Sequence, residues 1–227
     1  MKTTKHWLAT IAVLLCSVSV NAHDFEVDGI YYKITSSTDL TVAVTYKGNS
    51  YSAYANEYSG DIVIPSIVSY GNKTYDVTSV ESYAFHSCSS LTSIVLSEGV
   101  INIRDFAFNS CSTLRSITLP ESLKSIGDFV FGSCNSLSEV RISSMEAWCG
   151  VVFDSNPLQY AKNLYLDGVL VTRLVIPEGV TSIGESAFDG CTCLTSVSVP
   201  ESVTEIGESA FFNSPKVRLL NWDFVKC

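Results

Sequence analysis

The chain is poor in the residues that most catalytic chemistry needs. Three histidines occur in 227 residues, and only His23 and His86 lie beyond residue 22. Imidazole is the usual proton carrier and transition-metal ligand near neutral pH. A histidine-based site is reduced to one thin arrangement: an N-terminal His23 chelating copper through its amine and ring, with His86 as a second imidazole. No serine-hydrolase elbow is present, because Gly184-Glu185-Ser186-Ala187-Phe188 and Gly207-Glu208-Ser209-Ala210-Phe211 lack the second glycine. No phosphate loop and no dinucleotide fingerprint occur. Cysteine is available but never as C-x-x-C, and Cys191-x-Cys193 is neither that redox pair nor a zinc knuckle. The carboxylates fall in no loop with the ligand spacing that calcium wants. No catalytic residue, metal or cofactor is read from the sequence, and the expected function is not enzymatic.

Positive charge is scarce as well. Fourteen Lys and Arg stand against 23 Asp and Glu, a net charge of −9. An acidic surface argues against nucleic acid and anionic membranes as partners. With 46% hydrophobic and 16% charged residues, the composition excludes a disordered chain.

Only one long apolar run exists, and it is N-terminal. Lys2 and Lys5 precede residues 7–20, and Val20-Asn21-Ala22 follows. That order predicts a secretory signal peptide over residues 1–22, cleaved after Ala22. The run is short and mixed with Ser and Thr, unlike a membrane span. Cys16 follows Leu15, where a lipoprotein would carry a small residue. Cleavage would leave twelve basic residues against 23 acidic ones, a net charge of −11. The mature chain is expected to be secreted or held at the cell surface, with no transmembrane segment. No sorting motif or anchor is recognisable at the C-terminus, so the expectation is either a freely secreted chain or a fragment of a longer adhesin.

What the chain does have is repetition. Phe85, Phe108, Phe131, Phe188 and Phe211 follow one another at steps of 23, 23, 57 and 23 residues. A small residue precedes each: Ala84, Ala107, Val130, Ala187 and Ala210. Three positions later come Cys88, Cys111, Cys134 and Cys191, with Ser214 in the last copy. The pattern L-x-x-[IV]-x-[LIV] then follows, as in Leu91/Ile94/Leu96 and Leu194/Val197/Val199. This is a short strand with alternate residues turned inward, and Pro120, Pro177 and Pro200 stop such strands because proline cannot donate a ladder hydrogen bond. Val180/Ile183 and Val203/Ile206 mark a second inward edge. Gly127, Gly184 and Gly207 share one corner, yet Glu81 and Arg104 hold it in other copies, so that corner does not demand a positive φ. One such unit cannot bury its apolar edge alone; stacked units cover one another. The expected fold is a leucine-rich-repeat solenoid, mainly β, with short parallel strands and irregular or short helical connections. Its core would contain ladders of Phe85, Phe108, Phe131, Phe188 and Phe211 and of Cys88, Cys111, Cys134 and Cys191.

The segments "SIGDFVFGSCNSLSEVRI" and "SIGESAFDGCTCLTSVSVPESV" resemble the BspA-like, or Treponema-type, leucine-rich repeat of bacterial surface proteins. The resemblance runs over residues 77–220. It implies adhesion to host matrix proteins, host cells or other bacteria.

Two regions depart from the pattern. The step of 57 places an insertion at residues 143–173, with a hairpin at Asp167-Gly168. It is expected to pack on the solenoid and to widen or cap one edge. Residues 23–76 carry no clear copy; residues 30–34, 41–46 and 61–64 are strand candidates, and the region reads as an N-terminal β cap. Repeats then occupy residues 77–227. At the far end Trp222 and Phe224 are candidates to cover the last coil.

Seven cysteines follow residue 22, an odd number, and four share one repeat position. Parallel ladder neighbours suit packing better than bridging, so a buried thiol ladder is expected. Cys149, Cys193 and Cys227 are the ones to test for disulfides.

The outward side of the strands is the candidate ligand face. It carries Thr92, Ser93 and Val95; Arg115, Ser116 and Thr118; Ser138, Glu139 and Arg141; and Thr195, Ser196 and Ser198. Such a flat hydroxyl-rich wall suits an extended protein or glycan, or it is simply solvated. Trp148, Phe153 and Tyr160 in the insertion read as a packing cluster or, in a glycan-binding alternative, Trp148 and Tyr160 as a stacking platform. Tyr83, Phe106 and Phe129 share one position and read as extra core, with a sticky surface strip as the alternative. Acids repeated at Asp105, Asp128, Glu185 and Glu208, and at the turn positions Glu98, Glu121, Glu178 and Glu201, read as a wet edge. A cell-envelope module without a ligand of its own is the remaining alternative.

Overall fold

The computed structural model describes residues 21–53 and 56–220. The expected signal peptide lies outside the described residues except for Asn21 and Ala22, as do Trp222, Phe224 and Cys227.

Three antiparallel strands open the fold: β1 (Phe25–Val27), β2 (Ile30–Ser36) and β3 (Thr41–Thr45). Asp28 and Gly29 both have positive φ, the two-residue turn that matches strand twist. β4 (Ser59–Ile64) leaves this sheet, and β5 (Ile67–Tyr70) returns as a hairpin with β6 (Lys73–Val80). β3 then pairs in parallel with β6, so the antiparallel sheet runs without a break into a parallel one. The three candidate strands of residues 23–76 fall in β2, β3 and β4. Tyr58, fully buried, ties this region to the rest: its hydroxyl donates to the Thr45 carbonyl at 2.7 Å and accepts the Tyr31 N–H at 3.1 Å.

From here the chain winds in coils. β7 (Ser90–Leu96), β9 (Ser116–Thr118) and β11 (Glu139–Ile142) stack in parallel on β4, while β8 (Asn102–Ile103) and β10 (Ser125–Ile126) stack in parallel on β6. β4 therefore already belongs to the first coil, before residue 77. Each coil gives one strand to each of two sheets.

The third side of the coil is a turn, and its backbone groups are accounted for one by one. In residues 83–88 the N–H groups of Tyr83, Phe85 and Ser87 reach forward to the carbonyls of Asp105, Ala107 and Asn109 in the next coil, at 2.8–3.2 Å. Those of Ala84, His86 and Cys88 close turns onto Glu81, Tyr83 and Phe85. Alternation of this kind needs left-handed residues, and each regular coil has two. Tyr83, Phe106, Phe129, Ser186 and Ser209 hold one site; Ser87, Ser110, Ser133, Gly190 and Asn213 hold the other. The glycine corner, by contrast, is a matter of space: a Cβ on Gly207 would come within 2.4 Å of the Glu185 nitrogen.

The insertion is a correction to the sequence reading. It contains α1 (Met145–Cys149), β12 (Val152–Phe153), α2 (Leu158–Ala161) and β13 (Leu164–Leu166). β12 pairs in parallel with β10, and β13 with β11. Residues 143–166 are thus one more coil in register, with α2 where other coils place the Ala-Phe turn. Ser144 caps α1 by accepting the Ala147 N–H at 3.1 Å. Only the hairpin to β14 (Val169–Leu170) is extra. Because β14 takes the free edge of β13, the next strand, β15 (Arg173–Val175), starts a new sheet.

The last coils repeat the regular plan. β16 (Ser182–Ile183) pairs with β18 (Glu205–Ile206), and β15 pairs with β17 (Ser196–Ser198), which pairs with β19 (Arg218–Leu220). Phe85, Phe108, Phe131 and Phe188 are fully buried, and Phe211 is half-buried against the core. Tyr58, Phe85, Phe108 and Phe131 form one run of neighbouring rings with centroids 4.4, 4.9 and 5.7 Å apart; Phe188 and Phe211 stack at 5.3 Å. Cys88, Cys111, Cys134 and Cys191 are buried and unbridged.

Candidate binding face

In every coil the strand residues alternate, so two columns point outward. Asp61, Ser93, Ser116 and Glu139 stand in register in one; Val63, Val95, Thr118, Arg141 and Tyr165 stand in the other. Parallel pairing at about 4.8 Å fixes the step along each column. Thr92 and Ser93 donate to the same Asp61 oxygen at 2.7 and 2.6 Å, which holds that carboxyl below its usual range. Arg141 lies beside Glu139 on its own strand, with Nε donating to Oε2 at 2.9 Å. Arg115 and Ser138 are exposed at the strand starts, and the Ser138 hydroxyl donates to the Arg115 carbonyl at 3.2 Å.

A separate sheet of β15, β17 and β19 presents the equivalent outward positions with a different charge. Arg173, Ser196 and Arg218 stand in register, and Val175 and Ser198 stand beside them. Both arginines are exposed, and neither they nor Arg115 makes an ion pair among the described residues. The chain has five arginines, and four of them (Arg115, Arg141, Arg173 and Arg218) stand at outward strand positions or strand starts; Arg104 lies elsewhere, 3.5 Å from Glu81. Sequence reasoning missed Arg173 and Arg218. The 57-residue step hid the register of the first, and the second lies in a decayed copy; aligning "RLV" and "RLL" on "SVS" would have found both.

The aromatic strip is on the surface and is a correction. Tyr51, Tyr83, Phe106 and Phe129 stack outside the coil at 4.2, 5.1 and 5.3 Å, and Phe129 is 58% exposed. The left-handed backbone at Tyr83, Phe106 and Phe129 turns these rings away from the interior. His86 packs edge-on to Tyr51 and Tyr83, and burial lowers its pKa. His23 accepts the Gly48 N–H through Nδ1 at 3.3 Å and meets Tyr31 edge-on. No group of three His, Cys, Asp or Glu that could hold a metal ion occurs among the described residues.

The stacking platform of the glycan alternative is also corrected. Trp148 is 2% exposed, and its Nε1 donates to the Ala187 carbonyl at 2.9 Å. Tyr160 is half-buried against the core. The reason lies in the irregular coil. In regular coils the alanine carbonyl at this position accepts a phenylalanine N–H from the coil before. α2 replaces that turn, so side chains supply the donors: Trp148, and Asn156 through Nδ2 to Ser186 and Ala187 at 2.7 and 3.1 Å. The acid columns are likewise not merely wet: Asp105 accepts the Asp128 N–H at 3.0 Å, and Glu98 accepts those of Glu121 and Ser122.

No helix among the described residues is long and apolar enough to cross a membrane. Among curated proteins none matches the sequence. A solved leucine-rich repeat protein from Bacteroides ovatus is 27% identical, with a TM-score of 0.51, over 88% of this chain and 53% of that one. The chain thus spans about half the length of that structure. The Treponema pallidum leucine-rich repeat protein is 24% identical, with a TM-score of 0.43, over 85% and 68% of the two chains. The model of the BspA type leucine rich repeat region matches residues 50–164 and 159–223 in six copies. With strands stacked in register through residues 59–166 and again through 173–220, the chain belongs to the BspA-type leucine-rich repeat family.

Proposed function

We propose that this is a secreted or cell-surface binding protein without enzymatic activity, an adhesin for host matrix proteins, host cells or other bacteria. The partner lies extended across the strand wall and is acidic where it meets the sheet of β15, β17 and β19. The observation that carries this reading is the placement of the arginines. A chain with 23 acidic residues and only five arginines sets four of those arginines at the outward positions or starts of its strands. Guanidinium groups bind carboxylate, sulfate or phosphate in a planar, two-pronged way. Thr92, Val95, Thr118 and Ser198 fill the wall between them with small side chains that let an extended partner lie flat.

Binding of the chain to immobilised matrix proteins and to cells tests this. Joint replacement of Arg115, Glu139 and Arg141 by serine should weaken it about tenfold or more, and binding should fall as salt rises. Unchanged binding refutes the wall as the site. Absence of binding to every matrix protein, cell and glycan tried favours an envelope module with no ligand. A glycan-first reading would have to use the arginines, since Trp148 is sealed inside.

A further inference from the structure

The regular coils use the ladder cysteine in one way. Cys111 and Cys134 donate to the carbonyls of Phe85 and Phe108 at 3.0 and 3.1 Å, and Ser214 does the same to Phe188 at 2.9 Å. Cys88 has no phenylalanine turn before it, and neither has Cys191. The coil before it is the irregular one, where α2 stands in place of the phenylalanine turn and the Leu158 carbonyl is taken by the Lys162 N–H. The Cys191 thiol turns instead to Cys193, with the two sulfurs 3.5 Å apart. Cys193 occupies a position that carries Ser90, Thr113 and Ser136 in earlier coils, and Lys216 in the next. It is half-buried, whereas Cys88, Cys111, Cys134 and Cys149 are buried.

We propose that Cys191 and Cys193 form a reactive dithiol, a modification site for low-molecular-weight disulfides, which closes to a disulfide within the turn. Two features make Cys193 the attacking group. The Cys191 sulfur lies 3.5 Å away and the Lys216 charge acts on it, and both lower its pKa below that of a free thiol; as a thiol Cys193 donates to the Val171 carbonyl at 3.3 Å. The buried cysteines go the other way: desolvation raises Cys88 to about 11 and Cys134 and Cys149 to about 12, and the contact with Cys193 together with burial raises Cys191. The Cys193 thiolate attacks one sulfur of the small disulfide, forming a mixed disulfide and releasing one thiolate. The first released thiolate takes the Cys191 proton, and the Cys191 sulfur attacks the Cys193 sulfur, releasing the second thiolate. Two protein thiols are oxidised to one disulfide, and one small disulfide is reduced to two thiols. The sulfurs need to close by roughly 1.5 Å to reach bonding distance.

The test is oxidised glutathione added to the full chain at neutral pH, followed by acid quench, alkylation and peptide mapping. Mapping keeps Cys16 and Cys227 apart from the readout. The peptide holding residues 191 and 193 should lose two hydrogens and resist alkylation, about tenfold faster than any of Cys88, Cys111, Cys134 and Cys149 reacts. Cys191→Ser should accumulate a glutathione adduct on Cys193 that is not resolved. Cys193→Ser should leave Cys191 free to alkylate. Serine already stands at the Cys191 position in the last coil and at the Cys193 position in earlier ones, so both variants should fold. Reaction first at a buried cysteine, or no adduct on Cys193 in the Cys191→Ser protein, overturns the proposal.

Discussion

The Sγ of Cys111 donates a hydrogen bond to the carbonyl oxygen of Phe85, one coil earlier, at 3.0 Å. The same carbonyl accepts the Cys88 N–H at 3.1 Å, so the thiol fills its second lone pair. That Ser214 makes the equivalent bond means the position selects a small donor, not merely a small apolar group. Cys111→Ser should leave the melting temperature almost unchanged. Cys111→Val keeps the volume without the donor and should cost about 1 kcal/mol, measured by urea denaturation.

Phe129 and Phe131 are two residues apart and should behave as opposites. Phe131 is fully buried between coils, and Phe131→Ala should cost about 3–5 kcal/mol. Phe129 is 58% exposed with φ of 52°, a backbone region that costs any side chain. Phe129→Gly should change stability by less than about 1 kcal/mol, because relief at the backbone offsets the lost ring stacking. Equilibrium melts of the pair decide it.

Asn156 bridges two coils with its whole amide: Nδ2 donates to Ser186 and Ala187, while Oδ1 accepts the Leu158 N–H at 2.8 Å. Asn156→Leu leaves those buried backbone groups short of partners and should cost roughly 1–3 kcal/mol. Hydrogen exchange should quicken first at residues 186–190, where the regular coil resumes.

Glu57 gives a pH signature. Burial pushes its carboxyl up to about 7, although the Lys47 N–H bonds to both oxygens at 3.0 Å and pulls the other way. The folded chain therefore holds this proton more tightly than the unfolded chain. Its contribution to stability is complete below the ordinary value of 4.5 and is lost as pH rises through about 7. The melting temperature of the wild type relative to Glu57→Gln should fall across that window; a constant difference contradicts the assignment.

The repeat made the coil legible, because a residue recurring every 23 positions on a solenoid must stack on itself. Phe85, Cys88 and Ile94 could be placed inward from spacing alone. Tyr58 could not, since its copy keeps neither the Ala-Phe pair nor the cysteine, and its role is set by a hydroxyl reaching Thr45 and Tyr31. The strip Tyr83–Phe106–Phe129 misled because side-chain type suggests burial, while the backbone at that position is left-handed and turns the ring outward. Trp148 misled for the opposite reason: the missing phenylalanine turn creates a demand for buried donors that is invisible until the coils are stacked. Arg173 and Arg218 were hidden by register, not by chemistry.

The central claim is that the arginine-bearing strand wall, and not net charge, holds the partner. Two variants with the same change in charge separate these directly: Arg115, Arg173 and Arg218 replaced together by serine, against Arg104, Lys124 and Lys162 replaced together by serine. Affinity for a bound matrix protein or cell surface should drop about tenfold or more in the first and stay within about twofold of wild type in the second. Equal loss in both variants, or loss only in the second, would contradict the account.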